Sequence, residues 1–273
     1  ALYADEAARD ELDAEIGANE ARKQQLLERM RVGSVKTADV KGTVFLAGGA
    51  KISADVYNAY IQGGDDIPES LLVVLQEEDL SDLVEELEGK GHGTLVYDLT
   101  EEGSPEEAVK ELRRDFGNPD IVVNNLGGTL DIKDPFCSLK DWRKVWRFNL
   151  EVAIELNNLL IPSMRDRGWG RIVNVSSISS LENQGPVTYC SVKAALTAYS
   201  RSMGRVLAPD GIVMTALLPG AVFTEGGYWD HTSKNNPDHV KKYLDERMAI
   251  KRFGTLDEIG TVATFLCSNQ ISF

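Results

Sequence analysis

Cysteine and histidine are scarce, at three each in 273 residues. Cys137, Cys190 and Cys267 are scattered and odd in number, which argues against a disulfide framework. His92, His231 and His239 stand at no metal-ligand spacing with cysteines or carboxylates, so no metal site is expected. Unpaired thiols fit a reducing, cytoplasmic setting. Positive charge is also short, because 29 Lys and Arg face 43 Asp and Glu, a formal net charge of −14. That balance argues against nucleic acid and against an anionic membrane surface as partners. No apolar run is long enough to span a bilayer, and no basic-apolar-small leader pattern opens the chain. The expected partner is a small-molecule substrate.

Within this acidic background lie several short apolar, β-branched runs of the kind that form buried strands. Thr43–Leu46, Leu71–Leu75, Gly93–Asp98, Ile121–Asn124, Gly170–Val175 and Ile212–Leu218 read as six of them, with helical segments between. Three end in small or polar residues: Asn124-Asn125-Leu126-Gly127-Gly128, Ser176-Ser177 and Pro219-Gly220. In parallel sheets, ligands sit at the carboxyl ends of the strands. Past the second of these ends, Tyr189 and Lys193 stand four apart, on one face of a predicted helix. A phenol is mostly protonated at neutral pH, and a nearby ammonium is expected to lower its pKa and make it a usable acid or base. A surface tyrosine beside a solvated lysine is the plain alternative, and the pair alone does not decide.

These segments, in this order, resemble the short-chain dehydrogenase/reductase family from roughly Lys41 to Phe273. The resemblance implies a Rossmann-like doubly wound parallel α/β sheet with helices on both faces. It divides the chain into an N-terminal helical extension, residues 1–40, and a core, residues 41–273, which ends short of the family's seventh strand. It also implies an NAD(P)(H)-dependent oxidoreductase acting on a secondary alcohol or ketone, and a homodimer or homotetramer. Asn149, Ser177, Tyr189 and Lys193 match the family's catalytic set, with Ser176 one residue away as a competing serine. Tyr189 is then the general acid or base and Lys193 the group that lowers its pKa and holds the nicotinamide ribose. Ser177 positions the substrate oxygen, and Asn149 supports a proton-relaying water. Implied cofactor contacts are Gly48, Lys51, Asp98, Asn125, Gly127, Tyr189, Lys193, Pro219, Gly220, Val222 and Thr224.

The family's glycine-rich phosphate loop is altered, since Ala47, Ile52 and Ala54 replace expected residues. Side chains there should crowd the phosphates and weaken cofactor binding. Gln76-Glu77-Glu78-Asp79 favours NAD, Lys51 favours NADP, and the choice stays open. Asp98 is either the adenine contact or a turn cap.

Residues 1–32 read as helix from their Ala, Glu, Leu and Arg content, interrupted near Gly17. They pack on their own domain or serve as an oligomer contact. Ser104 is expected to cap a helix with Pro105 at its first position, and Ser138 to cap a long helix through Asn149 to about Ile161. Trp142 and Trp146 are expected in the core or an interface. The resemblance implies that Glu225–His231 is a lid over the substrate, in which Tyr228, Trp229 and His231 either stack on a polar ring or pack as loop residues. Thr255 and Glu258 form a capping box for the last helix. The stretch from Asn124 to Trp229 resembles reductases of bacterial surface-sugar (nonulosonate) biosynthesis and, in general plan, 3-oxoacyl-carrier-protein reductases. Polar Glu182, Asn183 and Gln184 favour a polar substrate.

Overall fold

The computed structural model describes residues 43–47, 70–75, 93–182, 184–224 and 227–271. The expectations for residues 1–40, for Gly48, Lys51, Ile52 and Ala54, for Gln76–Asp79 and for Asn183 lie outside these residues.

Six strands form one sheet: β1 (Thr43–Ala47), β2 (Ser70–Leu75), β3 (Gly93–Val96), β4 (Ile121–Asn124), β5 (Gly170–Val175) and β6 (Ile212–Leu217). Their order is β3-β2-β1-β4-β5-β6 and every pairing is parallel. Such a sheet is covered on both faces, so its central strands read as unbroken apolar runs, and all four residues of β4 are buried. The order reverses direction between β1 and β4, where crossovers leave to opposite sides and open a crevice at the strand ends.

The helices are α1 (Ser104–Asp115), α2 (Leu139–Trp146), α3 (Val152–Arg167), α4 (Val187–Leu207), α5 (Tyr228–Asn235), α6 (Pro237–Arg247) and α7 (Leu256–Cys267). Leu112 from α1, Leu156 and Met164 from α3, Leu207 from α4 and Ile172 from β5 share one fully buried core. Alternation along β5 sends the next side chain to the other face. There Arg171 donates to the Ser268 carbonyl at 3.1 Å, which places the end of α7 on that side.

Several boundaries depart from the sequence reading. Ser104 is not the cap of α1; Gly103, free of a Cβ, takes φ 80° at the cap position and the helix starts one residue sooner. Strand β3 stops at Val96, and Asp98 turns the chain by accepting from the Thr100 amide at 2.9 Å and its hydroxyl at 2.6 Å. The long helix is interrupted: residues Arg147–Glu151 form a π turn, after which α3 runs on to Arg167 through Pro162. Trp146 is 38% exposed, so among the described residues it is not core. Tyr228–His231 is not loop; it opens α5. The caps at Ser138 and at Thr255 with Glu258 are present as expected.

Candidate active site

The carboxyl ends of β4, β5 and β6 converge on a cavity of about 310 Å³, and Asn125, Gly127, Ser177, Tyr189, Lys193, Pro219, Gly220, Val222 and Thr224 all line it. Nine of the residues singled out in the sequence therefore meet in one place. Asp98 lines a different cavity beside α2, and its carboxylate holds its own turn.

Two serines follow β5, and their surroundings separate them. Ser176 is buried, donates to the Lys193 carbonyl at 2.9 Å and meets the Thr197 hydroxyl at 2.8 Å, so it ties β5 to α4. Ser177 lines the cavity together with Tyr189 and accepts from the Ser179 amide at 3.1 Å.

Tyr189 and Lys193 come from the first two turns of α4. Lys193 is only 3% exposed, yet its ammonium makes a single hydrogen bond to described residues, donating to the Val175 carbonyl at 2.9 Å. An ammonium has three donors, so two remain for the cavity. Burial pushes its pKa down to about 8. The ammonium lies 5.7 Å from the centre of the Tyr189 ring. The expected lowering of the tyrosine pKa is not what this arrangement gives: burial pushes the Tyr189 phenol up, and the neighbouring Ser177 hydroxyl opposes it only in part. Desolvation thus disfavours both charged forms, and the ammonium sits against the ring face and not at the hydroxyl.

Asn149 lies in the π turn and is 1% exposed. Its amide donates to the Val145 and Gly128 carbonyls, each at 2.9 Å, and its oxygen accepts from the Gly128 amide at 2.9 Å. The side chain occupies the Val145 carbonyl that a regular helix would offer to a backbone N–H, a local reason for the wider turn. The two-way clamp on Gly128 fixes the backbone after β4. Beside it, a Cβ on Gly127 would fall 2.6 Å from Asn149 Oδ1 and 2.7 Å from Lys193 Nζ. Only glycine permits that approach.

Below the cavity is a set of buried amides that the sequence reading passed over. Asn124 donates to Asn157 at 2.9 Å and to Asn174 at 2.7 Å, and Asn174 donates to Ser200 at 2.9 Å. This ties β4, β5, α3 and α4 together beneath the site. Asn157 and Asn174 were visible as polar residues inside apolar runs, a pattern that signals a buried hydrogen-bond network.

A larger cavity of about 910 Å³ opens from Ser177 and Tyr189 toward solvent, walled by Gln184, Tyr228, Trp229 and Tyr243. Trp229 packs against Tyr243 at 4.4 Å and Phe253 at 4.8 Å between ring centres. The Tyr243 hydroxyl donates to Gln184 Oε1 at 2.8 Å, fastening α6 to the loop before Tyr189. Tyr228 and Trp229 line the open cavity, Trp229 while packed on Tyr243 and Phe253; His231 is exposed and lines neither cavity.

A family model described as enoyl-(acyl carrier protein) reductase matches residues 69–273. The chain belongs to the short-chain dehydrogenase/reductase family. It is 34% identical over 185 residues to a 3-oxoacyl-[acyl-carrier-protein] reductase of Aquifex aeolicus, covering 67% of this chain and 72% of that protein. It is 29% identical over 171 residues to an acetoacetyl-CoA reductase of Cupriavidus necator, covering 62% and 67%. Among solved structures, the L-sorbose reductase of Gluconobacter frateurii complexed with NADPH and L-sorbose superposes with a TM-score of 0.75 at 24% identity, over 85% of this chain and 92% of that one. A 3-oxoacyl (acyl-carrier-protein) reductase from Agrobacterium tumefaciens with NADP bound gives 0.75 at 22%, over 88% and 94%. At these identities the structural likeness establishes the Rossmann-like fold.

As a member of this family the chain is an NAD(P)-dependent oxidoreductase. Its described residues fit the nicotinamide end of such a cofactor: the Lys193 ammonium keeps two donors free, and Gly127 leaves open the space that a Cβ would fill. No described helix is long and apolar enough to cross a membrane. Among the described residues no cluster of potential metal ligands occurs.

Proposed function

We propose that the chain reduces a ketone, or oxidises the matching secondary alcohol, at the junction of the two cavities, with Asn149, Ser177, Tyr189 and Lys193 as the working residues. The observation that carries this reading is that Ser177 and Tyr189 line both cavities, at the place where the smaller one meets the open one. A bound nicotinamide supplies or accepts the hydride. In reduction, Ser177 orients the substrate oxygen and Tyr189 donates a proton to it. Lys193 then stabilises the phenolate and, ionising near pH 8, is able to return a proton. A water beside Asn149 completes the relay to solvent. Lys193 and Tyr189 would hold the nicotinamide ribose, Asn125 and Gly127 would shape the pocket behind it, and Pro219, Gly220, Val222 and Thr224 would close over the ring.

Two substrate classes have support. The relatives that act on 3-oxoacyl and acetoacetyl thioesters favour a 3-oxoacyl thioester. The aromatic wall at Tyr228 and Trp229 and the polar Gln184 favour a sugar or sugar nucleotide, of the surface-sugar (nonulosonate) kind that the sequence suggested. Phosphate binding would fall to Gly48 and Lys51, with Asp98 or its turn near the adenine, and the NAD or NADP preference would follow from them.

The test is a screen of thioester, sugar and simple ketones with NADH and NADPH, followed by Tyr189→Phe. Loss of the hydroxyl should cut kcat by on the order of 10²–10⁴ with the fold intact. An active substrate turned over at full rate by the variant would overturn this site.

A further inference from the structure

The open cavity has charged walls that the proton and hydride steps do not use. Helix α6 turns one face to it: His239, Lys242, Tyr243, Glu246 and Arg247 line the cavity, at i, i+3, i+4, i+7 and i+8. The other charged residues of α6, Asp238, Lys241 and Asp245, do not line it. Tyr243 ties this row to the chemistry, since its hydroxyl donates to Gln184 in the loop before Tyr189 at 2.8 Å. Arg247 follows one turn, about 6 Å, along the helix. From the loop after β4, Lys133 and Asp131 line the same cavity.

These charges do not cancel. Lys133 pairs with Asp131 at 2.9 Å, which spends both. Lys242 meets Glu246 only at 4.0 Å, and 70% of its side chain is exposed. Arg247 is exposed and pairs with no carboxylate among the described residues. Its charge is nevertheless felt inside the cavity: burial pushes the Tyr243 phenol up, Glu182 pushes it further, and the Arg247 guanidinium opposes both. In a chain of net charge −14, the wall of this one cavity thus sets three cations against two carboxylates, and Arg247 is the cation left over.

A guanidinium presents a planar fork of donors that fits a carboxylate or a phosphate two bonds at a time. The cavity, at about 910 Å³, lies toward the upper end of the range for small-molecule sites. A ketone held at Ser177 and Tyr189 therefore has room for further atoms that extend past Trp229 and Gln184 to α6.

We infer that Arg247 and Lys242 hold a carboxylate or phosphate group at the end of the substrate remote from its ketone, so that the enzyme selects an anionic, sugar-like ketone free in solution. This rests on the reductase reading. Glu246 stands between the two cations on the same face and repels such a group, so its removal should strengthen the selection.

Two matched pairs are the probes: 5-keto-D-gluconate with L-sorbose, which differ only in a carboxylate against a hydroxymethyl group, and D-fructose 6-phosphate with D-fructose. Binding by isothermal titration calorimetry and steady-state kinetics with NADH and with NADPH are measured for wild type, Arg247→Met, Lys242→Met and Glu246→Gln. Wild type should favour the anionic member of at least one pair by on the order of tenfold or more in Kd and in kcat/KM, less at high salt. Arg247→Met should erode that preference by on the order of tenfold. Lys242→Met should erode it as well, and Glu246→Gln should increase it. A preference in one pair alone names the group that the cations hold. Anion binding that weakens in Arg247→Met, with no ketone reduced, would remove the reductase reading and leave the anion site standing. Wild type that binds neither anionic ketose at millimolar concentration, or binds both members of each pair alike, would overturn the anion site, whichever neutral ketone it reduces. So would a preference that survives both Arg247→Met and Lys242→Met. A loss confined to NADPH would assign the cations to the cofactor's 2′-phosphate, with the same consequence.

Discussion

Lys193 is the residue whose chemistry the tertiary environment alters most. Burial lowers its pKa to about 8 from the 10.5 of a free side chain. Below pH 8 the amine is charged in folded and unfolded chains alike, and the folded state bears the full desolvation cost. Between about 8 and 10.5 the unfolded chain keeps the proton that the folded one has released, so stability rises with pH across that window and is flat again above it. The gap corresponds to roughly 3 kcal/mol. Lys193→Met should therefore raise the Tm of the cofactor-free protein near pH 7 and remove the pH-dependent rise, as measured by thermal denaturation from pH 7 to 10.5. Its activity should be lost. In wild type, reductive kcat/KM should fall as pH rises through about 8, because the ammonium disappears. A fall appearing only near pH 10 would show that Lys193 keeps an ordinary pKa.

Asn149 makes the second argument at this scale. Its three hydrogen bonds hold Gly128 and the Val145 carbonyl. Asn149→Ala leaves these groups without their partner, which typically costs about 1–3 kcal/mol. Urea denaturation should show that loss, and hydrogen exchange at the Gly128 amide should quicken. Unchanged exchange there would mean that the clamp is not formed in solution.

At the scale of elements, α5 and α6 wall the open cavity, and a polar contact from Tyr243 fastens α6 to the loop before Tyr189. The Tyr243 hydroxyl reaches Gln184, whose side-chain amide in turn donates to Glu182. Tyr243→Phe keeps the ring packed on Trp229 and removes only the fastening. A partly exposed hydrogen bond contributes about 1 kcal/mol, so stability should shift little. If the wall orders the substrate, KM should rise several-fold with kcat nearly kept. A drop in kcat at constant KM would instead place Tyr243 in the chemical step.

At the scale of the whole molecule, α3 and α4 are the helices on which self-association is expected. Ile154 and Leu159 on α3 and Ala195 on α4 stay only partly buried within the described chain. Small residues along α4 permit close helix approach. We expect a dimer or tetramer built on these helices, and sedimentation at micromolar concentration checks it: a stable monomer would contradict it.

The parallel α/β plan was legible in the sequence because a strand buried on both faces must be continuously apolar, as Ile121–Val123 and Ile172–Val173 are. Caps read well where a side chain makes them, at Ser138 and Thr255. They failed at Ser104, where the backbone freedom of Gly103 decides. The candidate site residues that line the cavity, Asn125, Ser177, Tyr189 and Lys193, were legible as polar groups at strand ends and on one helix face. Their electrostatics were not, since four-residue spacing brings Tyr189 and Lys193 together but says nothing of how much water surrounds them. Burial, a property of the packed chain, pushes the phenol up and the ammonium down. Likewise only the folded chain distinguishes Ser176 from Ser177, because which of two adjacent hydroxyls is bonded to α4 depends on the packing of α4 against β5. Sequence determined which chemical groups are present and on which elements; tertiary structure decided which of them meet, and in how dry a place.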